Sequence, residues 1–411
     1  MPAVPTPHEQ PIHHVVVVVQ ENRSFDNLFM GFPGANTVTS GVNSLGQTVQ
    51  LQPISLSAQF GIEHGSDQFF AACDGTGSIP GTNCRMDAFD KEVSYGQNIP
   101  PNPEYAYVPR NETRPYWDLA KQYVLADAMF TSHIDESFAS HQYLIAAQAG
   151  HAVNVPATQV WGCAGGPSDT VTTLNADRSY GPGEAPCFTY TTIADELDRR
   201  GLPWRYYATV ASDPAYIWSA YQANSQIYNG KDWKRDVITP PAQFLTDVGS
   251  GKLASVTWLT PTFDDSDHAP GSNLGPQWVA SVVNAVGESA FWSDTVIVVL
   301  WDEWGGWYDH VPPQYMDYDG LGFRVPLLVI SPYAKKGHVS HVQYEHGSIV
   351  RFIEDTFGLP RLAASDARAT SIGPDALDFT QPPRPFVPIK TTLQARDFVR
   401  APADHRLPDE N

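Results

Sequence analysis

Five consecutive valines at 15–19 end in Gln20, Glu21, Asn22 and Arg23. A carboxylate and a carboxamide thus stand where a strongly apolar run stops. Such a pair can hold a hard cation through oxygen, or simply cap the turn that follows. A second apolar run at 295–301 stops in the same way, at Asp302 and Glu303, followed by Gly305 and Gly306. Adjacent carboxylates repel each other unless a cation or a proton lies between them. A third polar stretch, Ser132-His133-Ile134-Asp135-Glu136-Ser137, precedes small and apolar residues that read as a helix from Ser140. Ser137 falls near that helix start, where free N–H groups and the helix dipole favour an anion. A serine attacking phosphorus is well served there, although spacing alone fits an ordinary capping serine as well. Two further histidines lie in polar loops: His64 in Glu63-His64-Gly65-Ser66, and His268 in Asp267-His268-Ala269-Pro270.

The elements that position these residues follow from the hydrophobic pattern. Five successive valines cannot form a half-exposed strand, because alternate side chains would face water. They predict a strand at 14–20 buried on both faces, as in a parallel sheet covered by helices. In such sheets ligands bind beyond the C-terminal ends of the strands. Further strands are expected at 124–130, 204–208, 256–261, 295–301 and from Arg324. Helices are expected at 116–123, at 192–200 with Gly201 closing it, at about 275–290, and from about Tyr344. Residues 23–60 read as loops with a short hairpin, 151–187 as a long loop, and 212–250 as a mixed, helical insertion. The expected organisation is a disordered lead-in at 1–13, one catalytic domain with insertions at 14–362, and an extended tail at 363–411 packed on the core.

Composition narrows the function classes. A content of 42% hydrophobic and 12% aromatic residues is ample for a core, and 35 prolines with 31 glycines indicate a loop-rich chain. The net charge of −20 argues against a nucleic-acid binder and against adhesion to anionic lipid. An acidic protein that takes an anionic substrate needs a local cation, which favours a metal site. The four cysteines, Cys73, Cys84, Cys163 and Cys187, include no C-x-x-C, so a thiolate zinc site is unsupported. Three disulfide pairings are open. The sequential one closes two short Gly-rich loops and suits an oxidising compartment; four reduced thiols are the alternative. The first residues lack the apolar segment of a signal peptide, and no run reaches transmembrane length. The expectation is a secreted or periplasmic protein whose signal peptide is absent from this sequence, with no stable membrane insertion. P-loop, Rossmann and G-x-S-x-G patterns are absent, which lowers nucleotide-driven and serine-esterase chemistry.

Four segments taken together resemble the bacterial phosphoesterase family. They are Gln-Glu-Asn-Arg-Ser-Phe-Asp at 20–26, Ser-Phe-Ala-Ser-His-Gln at 137–142, Trp-Asp-Glu-Trp-Gly-Gly-Trp-Tyr-Asp-His-Val at 301–311, and Arg-Val-Pro-Leu-Leu-Val-Ile-Ser-Pro-Tyr at 324–333. That family holds non-specific phospholipases C and certain acid phosphatases on an alkaline phosphatase-like fold. The resemblance implies an α/β protein with a central, mostly parallel sheet flanked by helices on both faces, and loop-rich insertions. It implies one divalent metal ion (Mg, Ca, Mn or Zn) held by Glu21, Asn22, Ser137, Asp302 and Glu303. It also implies Ser137 as nucleophile and His268 as acid, with His64 assisting. Two departures stand out. The loop before Ser137 carries His-Ile-Asp-Glu where relatives often carry small or apolar residues. The chain also ends soon after the core, which favours a phosphatase-like or minimal form.

The expected activity is metal-dependent hydrolysis of phosphoric esters through a phosphoserine, on a small phosphomonoester or a phospholipid. The alternatives are a non-catalytic phosphate- or metal-binding protein, and a sulfatase-like hydrolase. The latter is disfavoured because no cysteine lies in a C-x-P-x-R context. His141, one helical turn past Ser137, His310 and His346 are left between site and structural roles, the site role open to His141 being to orient the nucleophile loop. Trp301, Trp304, Trp307 and Tyr308 read as core or pocket wall, with a choline cage as the second option.

Overall fold

The computed structural model describes residues 11–158 and 161–402. Most of the lead-in expected at 1–13 lies outside the described residues. From residue 11 the chain is engaged: Ile12 is buried, and the His13 N–H donates to Asp294 O at 2.9 Å.

The valine run forms strand β1 (His14–Gln20), with its valines all buried. The other strands of the main sheet are β2 (Val124–Phe130), β3 (Trp204–Tyr207), β4 (Val237–Ile238), β5 (Val256–Leu259), β6 (Thr295–Trp301), β7 (Arg324–Ile330) and β8 (His338–Ser340). They pair in the order β4-β3-β5-β1-β6-β7-β2-β8. Every pairing is parallel except those of β7, which runs against both β6 and β2. All residues of β6 and β7 are buried, so both faces of the sheet are covered. The covering helices include α1 (Arg114–Gln122), α2 (Ser137–Ala146), α3 (Ile193–Arg200), α4 (Gly275–Gly287) and α5 (His346–Phe357). Thr192 and Asp195 cap α3 reciprocally, and Gly201 ends it in the left-handed conformation. Among the described residues no helix is long and apolar enough to cross a membrane.

Two features of this sheet place the chemistry. The first is register. Gln20 lies opposite Trp301, and the Asp302 N–H donates to Gln20 O at 3.0 Å. Glu21 and Asp302 therefore leave adjacent strands at the same level. The second is the reversal of β7, which brings its first residue, Arg324, to the edge where the parallel strands end. The buried Arg324 guanidinium donates to both Asp309 oxygens, at 3.0 and 3.1 Å, and to Asp26 Oδ1 at 3.4 Å. It thereby ties the segment after β6 to the segment after β1.

The structure revises three local expectations. The stretch at 151–187 is no simple loop: it carries a small antiparallel sheet of Ala152–Val153, Val171–Leu174 and Tyr180–Glu184. Its strands are short and interrupted by Gly and Pro, so period-two patterning is weak. The segment after 362 is not continuously extended. It forms short helices at Ala364–Arg368, Gly373–Ala376 and Ala395–Val399, and buries Ile389 and Phe398 in the main core. The helix read from Ser140 begins at Ser137. The cysteines pair sequentially, Cys73 with Cys84 and Cys163 with Cys187. The hairpin expected within 23–60 is Ser40–Val42 with Thr48–Gln50.

Candidate active site

Helix α2 begins at Ser137, directly after β2 and its polar exit loop. Ser137 Oγ donates to Glu21 Oε2 at 3.1 Å. Four residues on, and so on the same helix face, His141 Nε2 stands 2.7 Å from Glu21 Oε1 and 4.0 Å from Asp302 Oδ2. Glu21, His141 and Asp302 each offer a ligand atom within 4.8 Å of the other two. The structure thus brings Glu21, Ser137 and Asp302 together and adds His141.

Asn22, Glu303 and His64 form an adjoining group. His64 Nδ1 lies 2.7 Å from Ile62 O, a pure acceptor, so the proton sits on Nδ1. Nε2 then accepts from Asn22 Nδ2 at 3.2 Å and lies 3.5 Å from Glu303 Oε1. Glu303 Oε2 accepts the Gly305 N–H at 2.6 Å. Gly305 has φ +64°, and a Cβ there would fall 2.3 Å from Asn22 O. Only glycine allows the β6 exit turn to approach Asn22 this closely. His268 is fully buried, with its ring centroid 6.0 Å from His64, 5.1 Å from Phe263 and 5.9 Å from Trp218.

The electrostatics fit a cation. The Asp302 carboxyl is fully buried, with the Glu21 carboxyl and the Ser137 hydroxyl beside it. Burial first, then the charge of Glu21, pushes the Asp302 carboxyl well up. Burial first, then the charge of Asp302, does the same to Glu303. Buried carboxylates are costly until a proton or metal ion neutralises them. Glu21, His141 and Asp302 form a group that could hold a metal ion, while Asn22 and Glu303 are turned to His64. Burial lowers His141 to about 4, and drives His268 well below the usual histidine range with His64 adding to it. Both imidazoles are neutral near pH 7.

A relay of fixed tautomers holds Asp302. The Asp135 N–H donates to His133 Nδ1 at 2.9 Å, so His133 carries its proton on Nε2. That proton goes to Ser140 Oγ at 2.9 Å, and the Ser140 hydroxyl donates to Asp302 O at 2.7 Å. Sequence reasoning missed His133 and Ser140 in this role; their only signal is position on the loop and helix that carry Ser137. His346 opens α5 and is fully buried. Burial, with His141 adding, lowers it to about 3. His310 is held by Asp26 at 2.6 Å and Asn36 at 3.1 Å, beside Arg324. The Asp26–Asp309–His310 group already has a cation in the Arg324 guanidinium.

The tryptophans are wall and core. Trp301 Nε1 donates to Asp267 Oδ2, Trp304 Nε1 to Glu92 Oε1, and the Arg23 guanidinium lies 4.5 Å over the Trp307 ring. The ring face that a choline cage would need at Trp307 is thus covered by this chain's own arginine.

A model of the Phosphoesterase family matches residues 12–360, and the chain belongs to that family. Non-hemolytic phospholipase C of Pseudomonas aeruginosa is 26% identical over 94% of this chain and 60% of its own length. Phospholipase C B of Mycobacterium tuberculosis is 25% identical over 93% of this chain and 80% of its own. The chain spans 60% and 54% of the two Pseudomonas aeruginosa phospholipases C that it matches. Among solved structures, a protein of the alkaline phosphatase superfamily from Vibrio parahaemolyticus aligns over 89% of this chain and 72% of its own, at 10% identity and TM-score 0.42.

Proposed function

We propose that this chain hydrolyses phosphoric esters with the help of one divalent ion, Ser137 acting as the nucleophile. The donors to the ion are Glu21, Asn22, Asp302, Glu303 and Ser137, with Mg, Ca, Mn or Zn all compatible with such a set. One observation carries the proposal: the Ser137 hydroxyl, at the start of α2, donates to the Glu21 carboxylate, which shares a buried cluster with His141 and Asp302. Membership of the Phosphoesterase family supports it.

The bound ion supplies positive charge that favours the Ser137 alkoxide and offsets the charge of the phosphoryl group. Glu21 orients the Ser137 hydroxyl and takes its proton as Oγ attacks. The free N–H groups of the first turn of α2 face the phosphoryl oxygens. Ser137 Oγ forms a bond to phosphorus while the bond to the leaving oxygen breaks. His268, neutral in its buried setting, offers its N–H to a phosphoryl oxygen as a hydrogen bond, with His64 adjacent to assist, and the leaving oxygen takes its proton from water. Water then attacks the phosphoserine, releasing the phosphate product and restoring Ser137.

The substrates are a small phosphomonoester or a phospholipid, which places the chain among acid phosphatases or phospholipases C. Relatives named as phospholipases C favour the second. The two disulfides support a secreted or periplasmic setting. A sulfatase-like route loses support further, since all four cysteines are disulfide-bonded. The deciding experiment measures turnover of an aryl phosphate monoester and of an aryl phosphocholine diester, from about pH 4 to 8, for the wild type and Ser137→Ala. Loss of either activity in the variant supports the proposal and identifies the ester class. Activity that survives Ser137→Ala removes the covalent step, and inactivity with every divalent ion revives a phosphate- or metal-binding role.

A further inference from the structure

His141 lies outside the ligand set that the family resemblance implies, yet its geometry is that of a ligand. Nε2 touches Glu21 Oε1 at 2.7 Å and stands 4.0 Å from Asp302 Oδ2. Two bonds of ~2.1 Å to a shared ion can span at most ~4.2 Å, so one ion can reach both atoms. A plain hydrogen bond from His141 to Glu21 accounts for only part of this cluster. It leaves the buried Asp302 carboxyl crowded by the charge of Glu21. An ion enclosed by Glu21, His141 and Asp302 satisfies all three residues at once. The helix fixes the arrangement, since Ser137 and His141 are one turn apart on α2 and both face Glu21.

We infer that His141 is a nitrogen ligand of the catalytic cation, which makes the centre a mixed imidazole and carboxylate site. This rests on the proposed metal-dependent function and deepens it. All-oxygen sets suit Mg and Ca, whereas imidazole favours borderline ions such as Mn, Fe and Zn. The centre therefore selects a transition ion over Mg and Ca. His64 is not equivalent: its Nε2 already accepts from Asn22.

The test uses the full-length, metal-stripped chain reloaded with Mn(II). Stoichiometry is measured by elemental analysis, and nitrogen coordination by electron spin-echo modulation from 14N. The expected result is one Mn per chain with a 14N coupling. The coupling is lost in His141→Gln, which binds Mn at least ~10-fold more weakly, the lower bound seen for losing even an outer partner of a ligand. It is kept in His64→Gln and in His346→Gln. Those two variants retain the test should His141→Gln fail to fold, because a coupling kept in both leaves His141 as the donor. Mn bound without 14N coupling, or with a coupling that persists in His141→Gln, overturns the inference while the metal-dependent function stands. Failure to bind Mn stoichiometrically overturns both.

Discussion

Ser137 and Glu21 lie on opposite sides of one hydrogen bond: Ser137 Oγ donates to Glu21 Oε2 at 3.1 Å, while Glu21 Oε1 faces His141 Nε2 at 2.7 Å. The same carboxylate thus addresses the first and the fifth residue of α2. Ser137, the loop after β1 and the helix are held as one unit.

Removing the Ser137 hydroxyl removes the attacking atom and leaves the packing of α2 intact. Ser137→Ala is expected to lower kcat/KM on the accepted phosphoester by roughly 10³-fold or more. Its unfolding midpoint should stay close to that of the wild type. Parallel steady-state kinetics and thermal melts read both outcomes.

Stripping the ion exposes the repulsion among Glu21, Asp302 and Glu303. Chelation is therefore expected to lower the melting temperature as well as activity, and adding back divalent ion to restore both. At a free ion concentration 100-fold above Kd the stabilisation is about 2.7 kcal/mol. Calorimetry across a titration of ion checks this, and a melt unmoved by chelation contradicts it.

Gly305 permits the close passage of the β6 exit loop over Asn22. Gly305→Ala places a Cβ 2.3 Å from Asn22 O, in a backbone conformation with φ +64°. The expected cost is roughly 1–3 kcal/mol of stability, with weaker ion binding because Asn22 must shift. Urea denaturation with and without ion separates the two effects.

Asp265 gives the pH dependence a sign. Burial raises its carboxyl to about 7 from an ordinary value of 3.8. Between those values the folded chain keeps a proton that the unfolded chain releases, so this residue's contribution to stability declines as pH rises from about 4 to 7. Asp265→Asn is expected to match the wild type near pH 4 and to be the more stable of the two at pH 8. Denaturation midpoints at those two pH values decide it.

Both disulfides close short loops, Cys73 to Cys84 across 11 positions and Cys163 to Cys187 across 24. Each is expected to contribute about 2–4 kcal/mol. Reductant should lower the urea midpoint measurably, and a midpoint that does not respond argues against the pairing.

Much of the site was legible because buried strands end abruptly. Residues 15–19 and 296–301 are apolar throughout, so Glu21, Asn22, Asp302 and Glu303 stand out where the runs stop. What the sequence hid is direction and register. Arg324–Ile330 is buried throughout, and an unbroken apolar strand reads alike forwards and backwards, so the reversal that delivers Arg324 to Asp309 left no trace. The pairing of Gln20 with Trp301 likewise depends on how two featureless strands slide. His141 lay within the 137–142 motif, but its contact with Glu21 depends on where the loop after β1 meets α2.

The main-chain bond from Asp302 to Gln20 has a consequence for the order of events during synthesis. The residues it aligns are about 280 positions apart in the chain. A nascent polypeptide holds Glu21, Asn22 and Ser137 long before Asp302 and Glu303 leave the ribosome. The central pairing of the sheet closes a loop of that length, a slow and non-local step. The proposed ion cannot template early collapse, because two of its three carboxylates, Asp302 and Glu303, have yet to be made. It can only lock a scaffold whose hydrophobic strands have already found each other.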